Sequence, residues 1–258
     1  MRALAWMREE LRYLLTALGY FTRVPIPAWV GYAPQQLNAA ARYFPLIGLL
    51  VGAAGAAVYA AAVLAWPPRV AILLSMAATL WLTGGFHEDG LADCCDAFGG
   101  GMTREKTLEI MHDSRIGAFG ALGLMIALLL KWETLAQLQL RLGSTGLLWA
   151  LMAGHAASRS VAISYLRTLD YVRAEGKAKP VAQRLGDGAL GWALLWGLPW
   201  LLWPRWEAGL AALVVLAILR WWLGRWFARR LGGYTGDCLG FAQQIFELAI
   251  YLVLCAWS

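Results

Sequence analysis

Residues 84–96 concentrate the side chains that bind divalent metal ions, because four of the chain's 16 acidic residues lie at positions 88–96. On a helix, Asp89, Asp93 and Asp96 stand at i, i+4 and i+7 and share one face. Three neighbouring carboxylates repel one another unless a cation lies among them. Such oxygen ligands suit Mg²⁺, which also takes ligands from substrate phosphates. The spacing therefore predicts a magnesium site, with a solvated acidic face as the alternative.

A second polar element, residues 113–117, follows the flexible connection at 99–101. The guanidinium of Arg115 could bind phosphate oxygens, and the carboxylate of Asp113 could take a second metal or a hydroxyl proton. Ser114, which lies between them, is assigned to substrate binding. The alternative is an ordinary cytoplasmic anchor at the start of a helix.

A third polar element, residues 232–240, is rich in glycine and carries Thr235 and Asp237, which are assigned to substrate binding. Glycine lets backbone approach a phosphate closely, and the N–H groups of a helix N-terminus favour anions. A plain turn has the same composition, so the convergence of the three elements matters more than this one alone. They share one predicted side of the membrane with Arg23, which is also assigned to substrate binding.

Three further charges lie in or at the ends of apolar segments. Charges at membrane depth are costly and usually face the interior of a bundle. Arg42 and Arg159 stand near the cytoplasmic ends, where they could bind substrate in the same cavity or extend to the lipid headgroups. Glu247 is near the middle of its segment and needs a partner that the sequence does not identify.

The composition indicates that lipid is the main solvent of this chain. Hydrophobic residues make up 60% of it and charged residues 15%, with a mean hydropathy of +0.56. A soluble domain carries about a quarter charged residues. The net charge of +6 is explained better by membrane orientation than by nucleic acid. No removable signal peptide is expected, and none of the four cysteines forms a C-x-x-C pair.

We therefore predict an all-α, polytopic transmembrane helical bundle that forms a single domain over residues 1–258. A spanning helix needs about 20 apolar residues, and fewer where neighbouring helices cover its ends. Seven segments qualify, of which the fifth and sixth are short: 43–66, 69–86, 117–138, 147–165, 188–204, 209–224 and 239–257.

Lys and Arg alternate between the two predicted sides of the membrane. From the N-terminal segment through the successive connections to the C-terminus, their counts run 5, 1, 3, 1, 5, 1, 3, 0. Because positive residues favour the cytoplasm, this alternation predicts a cytoplasmic N-terminus and a site that faces the cytoplasm. Residues 3–21 differ from the spans and have one apolar face, which predicts a helix in the membrane interface or a packed first helix.

Five blocks of sequence resemble the cobalamin-5′-phosphate synthase family, also called adenosylcobinamide-GDP ribazoletransferases. They occur in the same order and with similar spacing over almost the whole chain. The third and fourth blocks are quite specific together, and the blocks are F-T-R-V-P-I-P at 21–27, Y-F-P-L-I-G at 43–48, G-G-F-H-E-D-G-L-A-D-C-C-D at 84–96, M-H-D-S-R-I-G at 111–117 and G-G-Y-T-G-D-C-L-G at 232–240.

The resemblance implies a Mg²⁺-dependent enzyme of the cell inner membrane that joins adenosylcobinamide-GDP to α-ribazole, or its 5′-phosphate, and releases GMP. It places metal-binding acids at Asp89, Asp93 and Asp96 and a terminal acid at Asp237. The D-S-R element, residues 113–115, carries the implied catalytic pair Asp113 and Arg115. The resemblance also implies contact with membrane lipid. It is compatible with a homo-oligomer and with association with other late cobalamin enzymes.

Two other classes share some of these features. CDP-alcohol phosphotransferases also use an aspartate-rich motif and Mg²⁺, but their further G-x-x-x-D-x-x-x-D does not follow Asp96. A transporter or cation channel should place its acids along the spans near the midplane. The acids of this chain cluster instead at a helix end and in a loop.

Overall fold

The computed structural model describes residues 2–31, 33–173 and 184–257, and in these ranges the chain is almost wholly helical. Lys177 and Lys179, two of the residues that predict the orientation, lie outside the described residues. The α-helices are α1 (Arg2–Phe21), α2 (Pro34–Ala40), α3 (Phe44–Ala62), α4 (Pro68–Thr83), α5 (Phe86–Gly100), α6 (Arg104–Ile110), α7 (Ala118–Ile163), α8 (Tyr165–Thr168), α9 (Asp187–Gly197), α10 (Trp206–Leu231) and α11 (Gly236–Ala256).

Four segments in the described part of the chain are long and apolar enough to cross a membrane: Gln35–Ala62, Ala118–Thr168, Trp206–Leu231 and Gly236–Ala256. The number rises to five if α4 and α5, which meet at 89°, form one broken span. By length and hydropathy, the described residues therefore form four or five candidate spans, fewer than the seven that the sequence predicts. The predicted fifth span is too short, because α9 has 11 residues and continues as a five-residue 3-10 helix, Leu198–Leu202.

Helix α7 is two antiparallel arms that meet at Gly143, where the backbone has a φ of 70° and leaves the helical conformation. Lys131 in the first arm and His155 in the second both contact Glu247 of α11, at 2.5 and 3.2 Å. On one straight helix these two residues would be about 36 Å apart. The arms correspond to the segments 117–138 and 147–165, which the sequence separates.

Small residues let α3 pack closely against the second arm of α7. A Cβ added to Gly52 would lie 2.7 Å from the carbonyl oxygen of Leu151, and one added to Gly48 would lie 3.0 Å from Ala156 Cα. Where lipid provides no hydrophobic force between helices, such close backbone contact supplies much of their association. These two glycines therefore have a packing role.

The partner that the sequence could not identify for Glu247 is a cluster of buried polar side chains. Besides Lys131 and His155, its carboxylate accepts hydrogen bonds from Gln243 Nε2 at 2.7 Å and Tyr251 Oη at 3.1 Å. Glu247 itself is 1% exposed. Because both of its oxygens are paired, the charge can be held inside the bundle.

Helix α1 changes environment along its length. Ala17 and Phe21 near its end are buried in the core, whereas Leu4 and Trp6 near its start are 72% and 64% exposed. Packing of the first helix is therefore observed for its C-terminal part. The interfacial position of the N-terminal part stays a prediction.

Candidate active site

Two glycines redirect the chain between α4 and the acidic helix. Gly84 and Gly85 have φ values of 67° and 68°, a left-handed conformation that glycine adopts without steric penalty. The helices on either side meet at 89°, so α5 does not continue α4 in its own direction. As the sequence predicts, the acidic segment is helical, which places Asp89 and Asp93 on one face.

The close crossing of α5 and α11 brings the acidic segment to the third polar element. A Cβ added to Gly90 would lie 2.9 Å from the carbonyl oxygen of Asp237 and 3.2 Å from Gly240 Cα. In return, a Cβ on Gly240 would lie 3.3 Å from Gly90 Cα. The two backbones can approach this closely because neither helix carries a side chain at the crossing.

A cleft of about 360 Å³ lies at this crossing. Three carboxylates from two helices, those of Asp89, Asp93 and Asp237, line it together. The other lining residues come from α1, α5, the 111–114 segment, the 171–173 segment and the start of α11: Tyr20, Phe86, Met111, His112, Asp113, Ser114, Tyr171, Arg173 and Gly236. The cleft, which we call the acidic cleft, thus combines residues of all three polar elements.

The acidic cleft holds more negative charge than its described residues neutralise. Burial and the nearby charges of Asp237 and Asp89 raise the pKa of Asp93, on α5 outside the four long spans, to about 7. Arg173 opposes this effect: its Nη2 lies 2.8 Å from Asp237 Oδ2 and donates a hydrogen bond to the carbonyl of Met111 at 2.9 Å. Asp237 Oδ2 is buried and accepts no well-aligned hydrogen bond from the described residues.

Arg173 is a cleft residue that the sequence analysis missed. It reaches the cleft through a short bridge between two chain segments, in which Val172 N donates to Tyr234 O at 3.0 Å and Tyr234 N donates to Asp170 O at 2.9 Å. In the sequence it is one of five basic residues in a long connection. No motif marks it, and only the bridge to the start of α11 shows its position.

Asp96 has a different role from the other two acids of its helix face. Its two carboxylate oxygens accept hydrogen bonds from the backbone N–H groups of Gly117 and Gly120, at 2.7 and 2.8 Å. These bonds satisfy backbone N–H groups that have no partner within the helix at the N-terminus of α7. The negative charge of Asp96 also interacts favourably with the positive end of the helix dipole. Asp96 does not line the acidic cleft. Among the described residues, no three His, Cys, Asp or Glu side chains form a ready metal site.

Asp113 and Arg115 contact each other at the edge of the cleft. Arg115 Nη2 lies 2.6 Å from Asp113 Oδ2, and its side chain is 87% exposed. Hydrogen bonds from the guanidinium and backbone N–H of Arg115 lower the pKa of Asp113 to about 2. Asp113 and Ser114 line the acidic cleft, whereas Arg115 lines an adjoining recess with Asp96.

Thr235 does not face the acidic cleft. Its side chain is fully buried, and its hydroxyl oxygen accepts a hydrogen bond from Cys238 N at 3.2 Å, which caps α11. The hydroxyl also contacts Met111 Sδ at 3.1 Å. The structure thus shows Thr235 fixing the helix start that carries Asp237, and the prediction that it also binds substrate stays a prediction.

The three arginines assigned to substrate binding lie apart from the acidic cleft. Arg42 is held by Glu10, with Nη2 2.6 Å from Oε2. Arg23 is exposed, with its guanidinium against Gly84 at the α4–α5 bend. Arg159 is 3% exposed and lines a second, aromatic pocket next to the cleft.

The fold and the cleft indicate a class: a helical protein with several helices long and apolar enough to cross a membrane, and with an acidic, arginine-containing cleft suited to phosphate chemistry. The particular family follows from comparison with known proteins. The chain belongs to the cobalamin-5-phosphate synthase family, whose model matches residues 13–255. The resemblance of the five sequence blocks is thereby confirmed, and the chain is an enzyme of cobalamin synthesis.

Curated relatives cover nearly the whole chain. A protein of Ralstonia pickettii (strain 12J) is 58% identical over 97% of this chain and 98% of its own length. One of Leptothrix cholodnii (strain ATCC 51168 / LMG 8142 / SP-6) is 49% identical over 96% and 97%. Both are named adenosylcobinamide-GDP ribazoletransferase. No solved structure matches the chain.

Proposed function

We propose that this enzyme joins adenosylcobinamide-GDP to α-ribazole, or to α-ribazole 5′-phosphate, in a Mg²⁺-dependent reaction that releases GMP. A ribose hydroxyl attacks the phosphorus that bears cobinamide, and the bond from that phosphorus to the GMP oxygen breaks. The products are adenosylcobalamin, or its 5′-phosphate, and GMP. The names of the close relatives support the substrates.

The observation that carries the proposal is the convergence of Asp89, Asp93, Asp237 and Arg173 on one cleft. Carboxylates alone would repel a pyrophosphate, and an arginine alone would not neutralise the charge of the leaving group. A divalent cation held by the acids would resolve this conflict, and Arg173 could bind phosphate oxygens in a planar fork.

The donor set fits Mg²⁺. This ion usually takes one or two carboxylates and completes its octahedron with waters and substrate phosphates. Asp89 and Asp93 supply such a pair from one helix face, and Asp237 lies across from them. When bound, the ion neutralises charge on the pyrophosphate and on the departing GMP. Asp96 is the weakest of the proposed ligands because its oxygens already cap α7.

The remaining cleft residues position the substrates. Arg173, close to Asp237 in the structure, can turn to phosphate once the carboxylates have a cation. Asp113 is a weak base while Arg115 holds it, because its pKa is then about 2. A substrate phosphate gives Arg115 a competing partner, which frees Asp113 to accept the hydroxyl proton.

We further propose that the chain lies in the cell inner membrane with the acidic cleft towards the cytoplasm. The alternation of positive residues supports this orientation. In this arrangement the two arms of α7 cross separately, and the short α9 with its 3-10 extension forms a hairpin with α10. Together with α3, α4, α10 and α11, the two arms of α7 and the α9 segment would make seven spans. A homo-oligomer and association with other late cobalamin enzymes stay predictions.

Release of GMP from adenosylcobinamide-GDP by the purified protein in lipid nanodiscs tests this function. We expect release that requires both α-ribazole and Mg²⁺. If neither α-ribazole nor α-ribazole 5′-phosphate led to release of GMP, the proposal would be contradicted. Release of CMP from a CDP-alcohol would favour the CDP-alcohol phosphotransferase class, and cation flux into liposomes would favour a transporter.

A further inference from the structure

A second pocket, which we call the aromatic pocket, lies beside the acidic cleft and has different chemistry. Four aromatic rings and one imidazole line it: those of Tyr20, Phe21, Phe44, Phe86 and His87. The rings pack at angles typical of aromatic clusters, with Phe21 and Phe44 4.4 Å apart at 88°. His87 stacks on Phe21 at 5.2 Å and 12°.

Arg159, which lines the aromatic pocket, carries a buried hydrogen-bond donor without a partner among the described residues. Its Nη1 donates to the carbonyl of His155 at 2.8 Å, and its guanidinium lies 6.0 Å from the ring centre of Phe21. Its Nε is buried and has no hydrogen-bond partner among the described residues. Leaving a buried donor unpaired is costly, so this N–H marks a position where a ligand acceptor would be stabilised.

The aromatic pocket and the acidic cleft adjoin each other. Tyr20, Phe86 and Gly236 line both. A molecule with an aromatic ring at one end and a reactive hydroxyl at the other could therefore place the ring in the pocket and the hydroxyl in the cleft. Gly236, which has no side chain, stands where such a molecule would pass from one to the other.

We propose that the aromatic pocket binds the base of the acceptor nucleoside, a planar benzimidazole, and that Arg159 Nε donates to its unsubstituted ring nitrogen. The inference rests on the proposed function, since it assigns a subsite for the ribazole substrate. Stacking between aromatic rings binds the flat faces of the base. The ribose then extends past Gly236, and its hydroxyl reaches the acidic cleft.

The other base in the reaction, guanine, fits the pocket less well. Guanine presents several donors and acceptors that must be paired when they are buried. The polar side chains that line the pocket besides His87 and Tyr20 are Arg159 and Gln243. Gln243 already donates to Ser158 and Glu247, at 2.9 and 2.7 Å. A benzimidazole, with one acceptor nitrogen, could pair with the buried donor Arg159 Nε and leaves no other polar ring atom to be satisfied.

Binding requires the pocket to open from the form in the structure. Its free volume is about 40 Å³, whereas a cavity that holds benzene measures about 150 Å³. Tyr20 and Phe86 stand at the boundary with the cleft, with their ring centres 5.3 Å apart. Rotation of these two side chains towards the cleft would admit the base and place their rings against it.

Phe44→Leu tests the pocket without touching the acidic cleft. It removes an aromatic face while keeping an apolar side chain on α3. We expect the KM for α-ribazole to rise by about three- to tenfold, with the KM for adenosylcobinamide-GDP unchanged. Phe241→Leu is the matched control, because Phe241 packs on Trp226 and Phe227 instead, and it should change neither constant.

A second measurement uses the unaltered protein, in case Phe44→Leu does not fold. A photoreactive benzimidazole riboside should label Phe44, which lines only the aromatic pocket, also in EDTA, and unlabelled α-ribazole should prevent the labelling. Equal changes in both KM values, no change in either, or labelling confined to the acidic cleft would overturn the proposal. If wild-type protein releases no GMP yet is labelled in the pocket, the proposed function fails and the pocket assignment survives.

Discussion

Gly90 on α5 lies against the backbone of Asp237 on α11, and this contact joins two of the sequence elements that build the acidic cleft. A Cβ added to Gly90 would lie 2.9 Å from the carbonyl oxygen of Asp237. Asp89 precedes the contact and Asp93 follows it by three residues. The distance between the carboxylates of the two helices is therefore set at Gly90.

Gly90→Ala should reduce GMP release by at least about tenfold, because its methyl group would push α5 and α11 apart. Misplacement of reacting groups by about 1 Å can lower a rate about a hundredfold. Gly100→Ala on the same helix is the control, since its Cβ would meet Ile110 Cδ1 at 3.4 Å, an ordinary contact. Normal turnover by Gly90→Ala would show that the spacing of the two helices does not matter.

Asp93→Asn should mainly lower activity, whereas Asp96→Asn should mainly lower thermal stability. Loss of a metal ligand predicts that Asp93→Asn releases GMP at least about a hundredfold more slowly, with apparent Tm in detergent unchanged or higher, since repulsion with Asp89 and Asp237 is relieved. Asp89→Asn should behave in the same way. Asp96→Asn should lower the Tm, because Gly117 N and Gly120 N bond to different carboxylate oxygens and an amide replaces one of these oxygens by an NH2 donor, at a cost of about 1–2 kcal/mol.

GMP release at saturating and limiting Mg²⁺, together with thermal melts, distinguishes the effects of these three variants. If Asp96→Asn lost activity at limiting Mg²⁺ while its Tm stayed unchanged, Asp96 would be a metal ligand as the sequence spacing predicts. If Asp93→Asn kept normal turnover at limiting Mg²⁺, the cleft would not be the metal site.

The helical acidic face could be predicted from sequence because i, i+4 spacing depends only on the helix itself. The role of Asp96 could not, because its partners are backbone groups of Gly117 and Gly120, and backbone donors leave no mark in residue types. The sequence likewise shows that Glu247 needs a partner. It does not show that Lys131, from an arm of α7 far away in the chain, supplies one.

Only part of the fold could be predicted from the sequence. The reversal at Gly143 was expected as a break between two spans, because Arg141 interrupts the apolar residues there. The short length of the 188–204 segment marks it as a weak candidate span, but nothing in the sequence predicts that it ends as a 3-10 helix. Arg173 was missed because it enters the cleft through a bridge between Tyr171 and Tyr234, a contact between distant residues.

Cysteines placed on exposed loops should report the orientation. Met102 and Leu64 are 91% and 86% exposed, on connections predicted to face opposite sides. After Cys95 and Cys255 are replaced by alanine, Met102→Cys should react with an impermeant maleimide only in inverted vesicles, and Leu64→Cys only in intact cells. Native Cys94 and Cys238 are buried and serve poorly as reporters. The reverse pattern would invert the predicted topology.

Two arginines border the cleft, and replacing each by lysine separates phosphate binding from simple positive charge. Lysine keeps the charge but cannot reproduce the planar fork of arginine. A lost charge-assisted hydrogen bond to phosphate costs about 1.5–3 kcal/mol, or about ten- to a hundredfold. We expect Arg173→Lys to lose this factor in kcat/KM for adenosylcobinamide-GDP, because Arg173 lies beside Asp237 within the cleft.

Arg115→Lys should insert normally and lose at least about tenfold in the same constant, if Arg115 leaves Asp113 to bind phosphate. The salt bridge by itself is exposed and contributes little to stability, so its loss should not alter the Tm. Arg229→Lys is the control for both variants, since Arg229 is an exposed arginine in the last turn of α10 and should be needed only for its charge. Full activity of Arg115→Lys, with activity lost in Arg173→Lys, would make Arg115 a membrane anchor and leave Arg173 as the phosphate-binding arginine.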